Sequence, residues 1–472
     1  MRTDNRRAGV LLGLIVVLGL FLRVKAANHA FIGQWDEAYH ALVAKNLAAH
    51  PLEPRLYETK VLPADDKEWT KAGVWLHKPP LPLWFMAGGI ELFGANELAF
   101  RLPAVLLDTL SIFLIVLLAR ELFGKDDVAG LTAGLLYALN PLMIRLVSGT
   151  VPDDSVHVIN TFFITLSVLL FVRKKPFPAG LSVGFGTLCL SGIALLGLAA
   201  PLPLIWKDKK LRLPALGGFL LAALPWPAYA HLRWPELYRH ESTLQMNHLF
   251  HALEGHAHAW WWYAKLLPVH FADVCAGIVV WPAVAAALVY AWKNRSPRVH
   301  VVLAWIALPY VFFSLIATKL YSYPCAAMPA LCLLLGFGAS ALYKKGPAAR
   351  GALALALLAL AVARLGADYS VPVWSTVYDY AALRDVSLKI GKEPGNKIVL
   401  NVKDDKAPQV MFYSGVPAYP DAPTPALLKE LRERGFKIFV LLEEGERLQA
   451  PGALLVPLPA PSSAPPKHPY EA

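Results

Sequence analysis

Two adjacent carboxylates, Asp36 and Glu37, follow shortly after the first long apolar run of the chain, residues 8–24. Charge is costly at the edge of a bilayer, so carboxylates kept there call for a functional explanation. In a partly dry site a carboxylate can act as a general base, taking a proton from an acceptor hydroxyl or amine as it attacks an activated carbon. The alternative is that the pair only stabilises the start of a helix predicted over 38–49.

Two lysines have the setting of phosphate ligands. Lys78 follows His77 and precedes two prolines, whose rings fix the backbone, and a lysine held in this way can bind a phosphate as a point charge. Lys319 ends a later apolar run and is followed by Tyr321 and Tyr323. Either lysine alone fits an interfacial residue whose stem snorkels. Together with carboxylates on the same side, they predict one anion-binding cavity that contains an acid.

A second acid pair, Asp153 and Asp154, precedes the apolar run 155–172. These carboxylates are candidates to line the same cavity. They are also suited to cap the helix that follows, and the spacing alone favours the cap.

The segment 231–270 is rich in histidine: His231, His240, His248, His251, His256, His258 and His270. Four of these, from His248 to His258, are candidates to bind a metal or to protonate a leaving group. Their spacing matches no compact zinc motif and favours a solvated loop. The sequence assigns no metal site and leaves a divalent metal open.

The elements that must position these residues are membrane helices. The 472 residues are 56% hydrophobic and only 17% charged, with a mean hydropathy of +0.45, so the chain is a polytopic membrane protein. The net charge of +11 is spread over short clusters between the apolar runs, which indicates orientation signals and excludes a nucleic-acid face. The runs predict about eleven crossings. They cover residues 8–24, 101–120, 128–146, 155–172, 179–206 as two short spans, 213–231, 272–292, 298–317, 323–343 and 349–366.

Lysine and arginine should collect on the cytoplasmic side. All the basic clusters share one side only if residues 81–95 do not cross and residues 179–206 cross twice. Residues 81–93 are therefore expected to form an amphipathic helix at the outer surface, within the first loop. The acid pairs, the two lysines and the C-terminus then lie outside the cytoplasm. The alternative, an ordinary span at 81–95, reverses every later loop.

Beyond residue 366 the composition becomes that of a soluble domain. Residues 397–402 and 436–442 are predicted strands, and residues 424–434 are a predicted helix. The expected fold is an all-α polytopic membrane domain over 1–366, a small α/β domain over 367–456 and a disordered Pro-rich tail over 457–472. No GxGxxG or P-loop motif is present, so an enzyme of this kind would use a donor other than a soluble nucleotide.

The order of these motifs resembles the C-type membrane glycosyltransferases that use polyprenyl-phosphate sugars, namely the protein O-mannosyltransferase family and the bacterial lipid A aminoarabinose transferases. The resemblance covers roughly residues 10–345. The motifs that carry it are Trp35-Asp36-Glu37-Ala38, His77-Lys78-Pro79-Pro80-Leu81-Pro82-Leu83-Trp84, Leu92-Phe93-Gly94, Arg101-Leu102-Pro103, Pro152-Asp153-Asp154, Leu224-Pro225-Trp226, Trp261-Trp262-Tyr263, and Ser314 to Tyr323 with Pro329.

The resemblance implies transfer of a hexose or pentose from a polyprenyl-phosphate donor to a lipid, glycan or protein acceptor, with inversion, at the outer face of a bacterial inner membrane. It implies that Asp36 is the base, that Lys78 and Lys319 hold the donor phosphate, and that Asp153 or Asp154 lines the cavity. Membrane lipids are the remaining partners. The predicted catalytic set is Asp36, Glu37, Asp153 and Asp154, and the predicted substrate-binding set is His77, Lys78, Lys319, Tyr321 and Tyr323.

The chain also departs from the family pattern. His77 replaces an acid common in the aminoarabinose transferases, which puts a metal site of their kind in doubt, and an arginine common after the acid pair is missing. A lysine that the family often places before a Gly-Pro is absent from 195–201. Two other functions remain open: a transporter or flippase for a lipid-linked substrate, and a non-catalytic lipid-binding subunit. The low charge of the spans and the absence of paired halves disfavour the transporter.

Overall fold

The computed structural model describes residues 2–151, 153–195, 200–201, 205, 208–253, 255–272, 277–294, 296–369, 380–403 and 405–458. Most of these residues are helical, as expected. They fall into two compact units. The first contains residues 1–27, 78–82 and 102–371, and the second contains residues 28–77, 83–101 and 372–472.

Within the described residues the α-helices are α1 (Arg2–Ala27), α2 (Asp36–Ala49), α3 (Leu81–Phe93), α4 (Glu97–Leu122), α5 (Asp127–Ala138), α6 (Pro141–Ser148), α7 (Val156–Val172), α8 (Pro176–Leu190), α9 (Arg212–Ala223), α10 (Pro225–Arg233), α11 (Pro235–Phe250), α12 (Trp262–Ala272), α13 (Gly277–Lys293), α14 (Pro297–Leu315), α15 (Met328–Tyr343), α16 (Pro347–Gly366), α17 (Tyr380–Lys392), α18 (Ala407–Ser414) and α19 (Pro425–Glu433). The strands are β1 (Lys397–Leu400), β2 (Lys437–Leu442) and β3 (Leu454–Pro457).

The apolar runs of the sequence form helices long enough to cross a membrane. Among the described residues, 6 helices pass a test of length and hydropathy, and up to 7 do so when the pair α5 and α6, bent by 43°, counts as one span. Four shorter apolar helices accompany them, and α3 is one of these. With 13 residues, α3 is about 20 Å long, against a hydrocarbon core of about 30 Å. The chain is an integral membrane protein, and the count of eleven crossings stays a prediction.

The bend between α5 and α6 has a local cause. Pro141 opens α6 and lacks a backbone N–H, so the hydrogen-bond ladder of α5 cannot run through it. The Asn140 side chain caps the new helix by accepting from the backbone N–H of Met143 at 3.1 Å.

Glycines allow close helix packing in the first unit. Gly180 on α8 lies against the backbone of Ala215 on α9, and Gly218 on α9 lies against that of Phe177, so that a Cβ atom at either glycine would clash. Small residues at such contacts are typical of membrane helices, where association depends on close van der Waals packing.

A buried ion pair joins α1 and α4 in the first unit. Arg23 Nε donates to Asp108 Oδ2 at 2.5 Å, and the hydroxyl of Tyr137 donates to the other carboxylate oxygen at 2.5 Å. The remaining guanidinium nitrogens donate to the carbonyls of Gly19, Ala138 and Tyr137. The spans thus hold more charge than their composition suggested. This charge is paired and hydrogen-bonded, which fits a structural role.

The second unit contains the α/β fold predicted near the C-terminus. The strands β1, β2 and β3 form a parallel sheet in that order. Thr424 caps α19, as expected, by accepting from the N–H of Leu427 at 3.3 Å. The same compact unit includes the loop that follows α1, with α2 and most of α3. Residues 459–472, where the disordered tail is expected, lie outside the described residues.

Candidate active site

The first acid pair begins helix α2. Asp36 and Glu37 occupy its first turn, where their negative charge interacts favourably with the helix dipole. The residue before them, Trp35, has φ 56° and ψ −127° and makes no side-chain capping bond. Residues other than glycine rarely adopt this backbone conformation, so the backbone at Trp35, just before α2, is strained.

Glu37 is held by a residue that the sequence had singled out only as part of a motif. Its two carboxylate oxygens accept from Arg101 Nε at 2.7 Å and from Arg101 Nη2 at 2.9 Å, and a further bond comes from the N–H of Gly33. Glu37 is 3% exposed and Arg101 is fully buried. Arg101 also donates to the carbonyls of His29 and Phe31. This arrangement can hold the backbone before Asp36 in place.

His77 lies in a cluster of aromatic rings within the second unit. Its ring stacks on Trp69 with centroids 4.5 Å apart and planes at 12°, and the ring of Trp75 is 5.7 Å away. Tyr39, one helical turn after Asp36, meets the edge of Trp69 at 4.8 Å. Burial and Asp405, whose Oδ1 accepts from the Tyr39 hydroxyl, raise the pKa of Tyr39 far above its usual value.

Lys78 follows this cluster in the chain. It is half-buried and lies three residues before the start of α3, in the Lys78–Pro82 segment that groups with the first unit. Pro79 and Pro80 separate it from that helix, as the sequence indicated.

Asp153 and Asp154 are both buried in the first unit, next to the start of α7, while Pro152 of their motif lies outside the described residues. Asp154 accepts from the N–H of Val156 at 3.0 Å, but the N-cap of α7 is Ser155, so the acid pair lies just before the cap. Asp153 accepts from the N–H of Ser322 at 3.1 Å and lies 3.4 Å from Nε2 of His157. Asp153 therefore connects α7 to the segment that carries Lys319.

Lys319 lies on an irregular segment, residues 316–322, between α14 and a short 3₁₀ helix. The N–H groups of Ala317, Thr318 and Lys319 donate to the carbonyls of Leu249, His248 and His256. On the other side, the hydroxyl of Tyr263 donates to the carbonyl of Leu320 at 3.0 Å. Neighbouring residues thus satisfy the backbone hydrogen bonds of this segment. Irregular backbone near a membrane requires such partners.

The Lys319 ammonium is buried, with 5% of the residue exposed. It donates to the carbonyl of Ile316 at 2.6 Å, and the described residues contain no carboxylate that pairs with it. Burial lowers its pKa below the usual value of lysine. A buried cation with unused N–H groups and no counter-charge in the described chain is suited to bind an anion.

The two tyrosines beyond Lys319 are also buried. The ring of Tyr321 stands perpendicular to that of His270 at 4.7 Å, and Tyr323 packs on Phe313 at 4.5 Å. The ring of His157 lies 6.1 Å from that of Tyr323. His157 is absent from the predicted site, because a single histidine inside an apolar run carries no motif.

The histidine-rich segment is largely exposed, as the sequence favoured, with His251 and His258 at the surface, although it is bonded to the Lys319 segment. Its backbone bonds to the Lys319 segment, and Thr318 Oγ1 donates to the carbonyl of His251 at 2.9 Å and accepts from the N–H of Leu253 at 3.1 Å. His258 stacks on Trp262 with ring centroids 3.9 Å apart. Burial lowers the pKa of His258. Among the described residues, no group of three or more His, Cys, Asp or Glu side chains could hold a metal ion.

Comparisons with known proteins bear on this arrangement. The model of the dolichyl-phosphate-mannose-protein mannosyltransferase family matches residues 77–231. An undecaprenyl phosphate-alpha-4-amino-4-deoxy-L-arabinose arabinosyl transferase from Pseudomonas aeruginosa is 29% identical over 384 residues, which are 74% of this chain and 64% of that protein. A transferase of the same name from Aeromonas salmonicida is 29% identical over 295 residues, 58% of this chain and 52% of that protein. The matches thus span less than two thirds of these relatives.

Solved structures share the fold. The crystal structure of ArnT from Cupriavidus metallidurans bound to undecaprenyl phosphate covers 90% of this chain and 87% of its own, with a TM-score of 0.63 and 18% identity. The oligosaccharyltransferase AglB from Archaeoglobus fulgidus covers 88% of this chain and 64% of its own, with a TM-score of 0.56 and 13% identity. These comparisons confirm the resemblance to C-type membrane glycosyltransferases, which the motifs indicated.

Proposed function

We propose that this protein transfers a sugar from a polyprenyl-phosphate carrier to an acceptor outside the cytoplasm of a bacterium, with inversion at the anomeric carbon. The C-type fold, the family model and the names of the relatives support this assignment. The orientation proposed for the inner membrane follows from the basic clusters, which then all face the cytoplasm.

The observation that carries the proposal is the state of Lys319. A buried ammonium without a carboxylate partner in the described residues weakens the folded state, so its presence needs a functional reason. A lipid phosphate supplies the missing counter-charge and accepts the unused N–H bonds. The irregular segment 316–322, bonded on both sides, fixes the ammonium before the donor arrives.

In the proposed reaction, Asp36 accepts the proton of an acceptor hydroxyl or amine. The oxygen or nitrogen of the acceptor bonds to the anomeric carbon, and the bond from that carbon to the phosphate oxygen breaks. Polyprenyl phosphate leaves with the bonding electrons. Lys78 and Lys319 stabilise the charge that grows on the leaving phosphate, and this electrostatic term is usually the largest in such catalysis.

The remaining predicted acids take supporting roles in the proposal. Glu37 holds Arg101 and the N–H of Gly33, and Asp154 holds the N–H of Val156 at the start of α7. Asp153 holds the N–H of Ser322, three residues after Lys319. We assign base catalysis to Asp36, as the family resemblance implies.

For the donor we propose a pentose first, because the relatives with the longest matches named above are arabinosyl transferases. Trp69, which is half-buried beside His77 and Tyr39, supplies an aromatic face for the sugar ring. The acceptor can be a lipid, a glycan or a protein.

The test uses the purified protein in nanodiscs with a panel of polyprenyl-phosphate sugars that includes 4-amino-4-deoxy-arabinose and mannose. Lipid A, glycan and peptide acceptors are supplied, with and without a chelator, and products are identified by mass spectrometry. Free polyprenyl phosphate together with a glycosylated acceptor supports the proposal. Transport of intact donor across liposomes would instead indicate a flippase, and binding without either outcome would indicate a lipid-binding subunit.

A further inference from the structure

Five consecutive backbone carbonyls, those of residues 29–33, each accept a hydrogen bond from a side chain. The segment 28–35 has no helix or strand of its own, and it leads directly into Asp36 at the start of α2. Irregular backbone lacks a ladder of regular hydrogen bonds, so its polar groups need other partners. Side chains from elsewhere in the second unit supply them.

Most of these donors come from the C-terminal α/β segment. The amide nitrogen of Gln409, on α18, donates to the carbonyls of Ile32 and Gly33 at 2.9 and 3.0 Å. Gln409 is 1% exposed. Arg384, on α17, donates to the carbonyl of Ala30 at 3.3 Å. The buried amide group of Gln409 therefore holds the backbone of Ile32 and Gly33, directly before Gln34.

Two more side chains complete the contacts. The Tyr380 hydroxyl donates to the Gln34 side chain at 2.8 Å, and the Tyr380 ring stacks on that of Phe31 with centroids 5.5 Å apart. Arg101 donates to the carbonyls of His29 and Phe31. Every residue from 29 to 34 is thus bonded to a side chain of the same compact unit.

The next residue, Trp35, is the strained one. Its φ of 56° lies in the region that favours glycine, and its indole is not enclosed, because 45% of the residue is exposed. A backbone in this state persists only where the surrounding structure determines it. The contacts on residues 29–34 provide that constraint, and the conformation of Trp35 sets the direction in which α2 begins.

We propose that Gln409 is a positioning residue for Asp36, and that the C-terminal α/β segment thereby takes part in the transfer reaction. The amide of Gln409 fixes the backbone at 32–33, and the Trp35 link passes this orientation to the first residue of α2. The inference rests on the proposed function, in which Asp36 is the base. Neither the motifs nor the family resemblance gave this segment a role.

The test compares Gln409→Leu, which keeps the side-chain size but loses both bonds, with Gln449→Leu, the same change at an exposed position of the same segment. We expect Gln409→Leu to lower kcat roughly ten- to hundredfold, because a small misplacement of a catalytic group has a cost of that order. The KM for the donor should stay within about twofold, since the phosphate ligands are unchanged. A purely structural role would lower the folded fraction and leave kcat per folded molecule unchanged.

Two further measurements keep the inference testable. If Gln409→Leu does not fold, Gln409→Met removes the same two bonds with an unbranched apolar side chain, and kcat at the wild-type value would overturn the inference.

Hydrogen exchange of the peptide covering residues 28–40 gives a readout that does not depend on turnover. We expect exchange about tenfold faster in Gln409→Leu than in Gln449→Leu, because local opening becomes easier. Unchanged exchange would overturn the inference. If the wild type turns over no donor while this difference appears, the proposed function fails and the holding role of Gln409 stands.

Discussion

Arg101 and Glu37 form a fully buried, bidentate ion pair, with Nε 2.7 Å from Oε1 and Nη2 2.9 Å from Oε2. The pair connects the start of α4 to the helix that carries Asp36. Both partners belong to the same compact unit, and Glu37 also binds the N–H of Gly33. The ion pair therefore holds Glu37, directly after Asp36, and through Glu37 also the backbone of Gly33, shortly before it.

Breaking this pair should destabilise the protein. We expect Arg101→Gln to lower the free energy of unfolding by about 3–5 kcal/mol, because it leaves the Glu37 carboxylate buried without its cation. The loss of stability is measured as a lower melting temperature of the detergent-solubilised protein, with size-exclusion chromatography as the readout of the folded fraction. The matched control is Arg173→Gln, whose partner Glu121 is exposed and whose pair should contribute at most about 1 kcal/mol. Equal melting temperatures for the two variants would contradict this assignment.

Lys319 should reduce stability while supporting binding. We expect Lys319→Met to raise the melting temperature of the ligand-free protein, because a buried cation without a carboxylate partner is replaced by an apolar side chain. The same change should weaken binding of polyprenyl phosphate roughly ten- to hundredfold, the value of a hydrogen bond to a charged group. Lys345→Met, at an exposed lysine, is the control. A variant that loses stability and keeps its affinity would refute the role of Lys319.

The affinity for lipid phosphate should decline at alkaline pH. Burial lowers the pKa of Lys319, so the ammonium is fully charged only below this lowered pKa and is lost as the pH rises through it. The decline should therefore begin at a lower pH than an ordinary lysine would give. The arginine in Lys319→Arg stays charged to about pH 12 or above, so the decline in affinity should begin at a higher pH. Titration calorimetry from pH 6 to 10 measures both curves, and identical curves would exclude Lys319 as the titrating group.

Thr318 should support donor binding from a distance. Its hydroxyl donates to the carbonyl of His251 and accepts from the N–H of Leu253, so it fixes the backbone next to Lys319. Thr318→Val should raise the Kd of polyprenyl phosphate by up to about thirtyfold, because it removes two part-buried hydrogen bonds of about 1 kcal/mol each. Thr318→Ser keeps the hydroxyl and should bind as the wild type does. If the valine variant binds equally well, the segment is held by its backbone bonds alone.

Local patterns foretold much of the fold. The helix expected over 38–49 is α2, Asp36–Ala49, and the strands expected over 397–402 and 436–442 are β1 and β2. Thr424 caps the predicted helix. This cap could be predicted because a threonine directly before a helix with an apolar stripe is a strong signal for a helix start. The strand β3 was missed, since its 4 residues are mostly exposed and end in proline.

Contacts between distant residues could not be foreseen. Gln409 meets Ile32 across 377 positions of sequence, and neither residue has a periodic or motif signal that names the other. His157 lies inside an apolar run, where only the fold shows that it meets Asp153. The acids and lysines of the site were recognisable because charge at a membrane edge is rare, whereas the groups that hold them are ordinary residues in ordinary contexts.

The role of Asp36 as the base of a sugar transfer is tested by turnover of the labelled donor by Asp36→Asn in nanodiscs. The matched control is Asp385→Asn, the same change at an exposed position. We expect the Asp36 variant to fold and to bind polyprenyl phosphate as the wild type does, with transfer lowered by about 10² to 10⁴, the usual contribution of a general base. The control should transfer at the wild-type rate. Transfer by Asp36→Asn at the rate of the control would show that Asp36 is not the base.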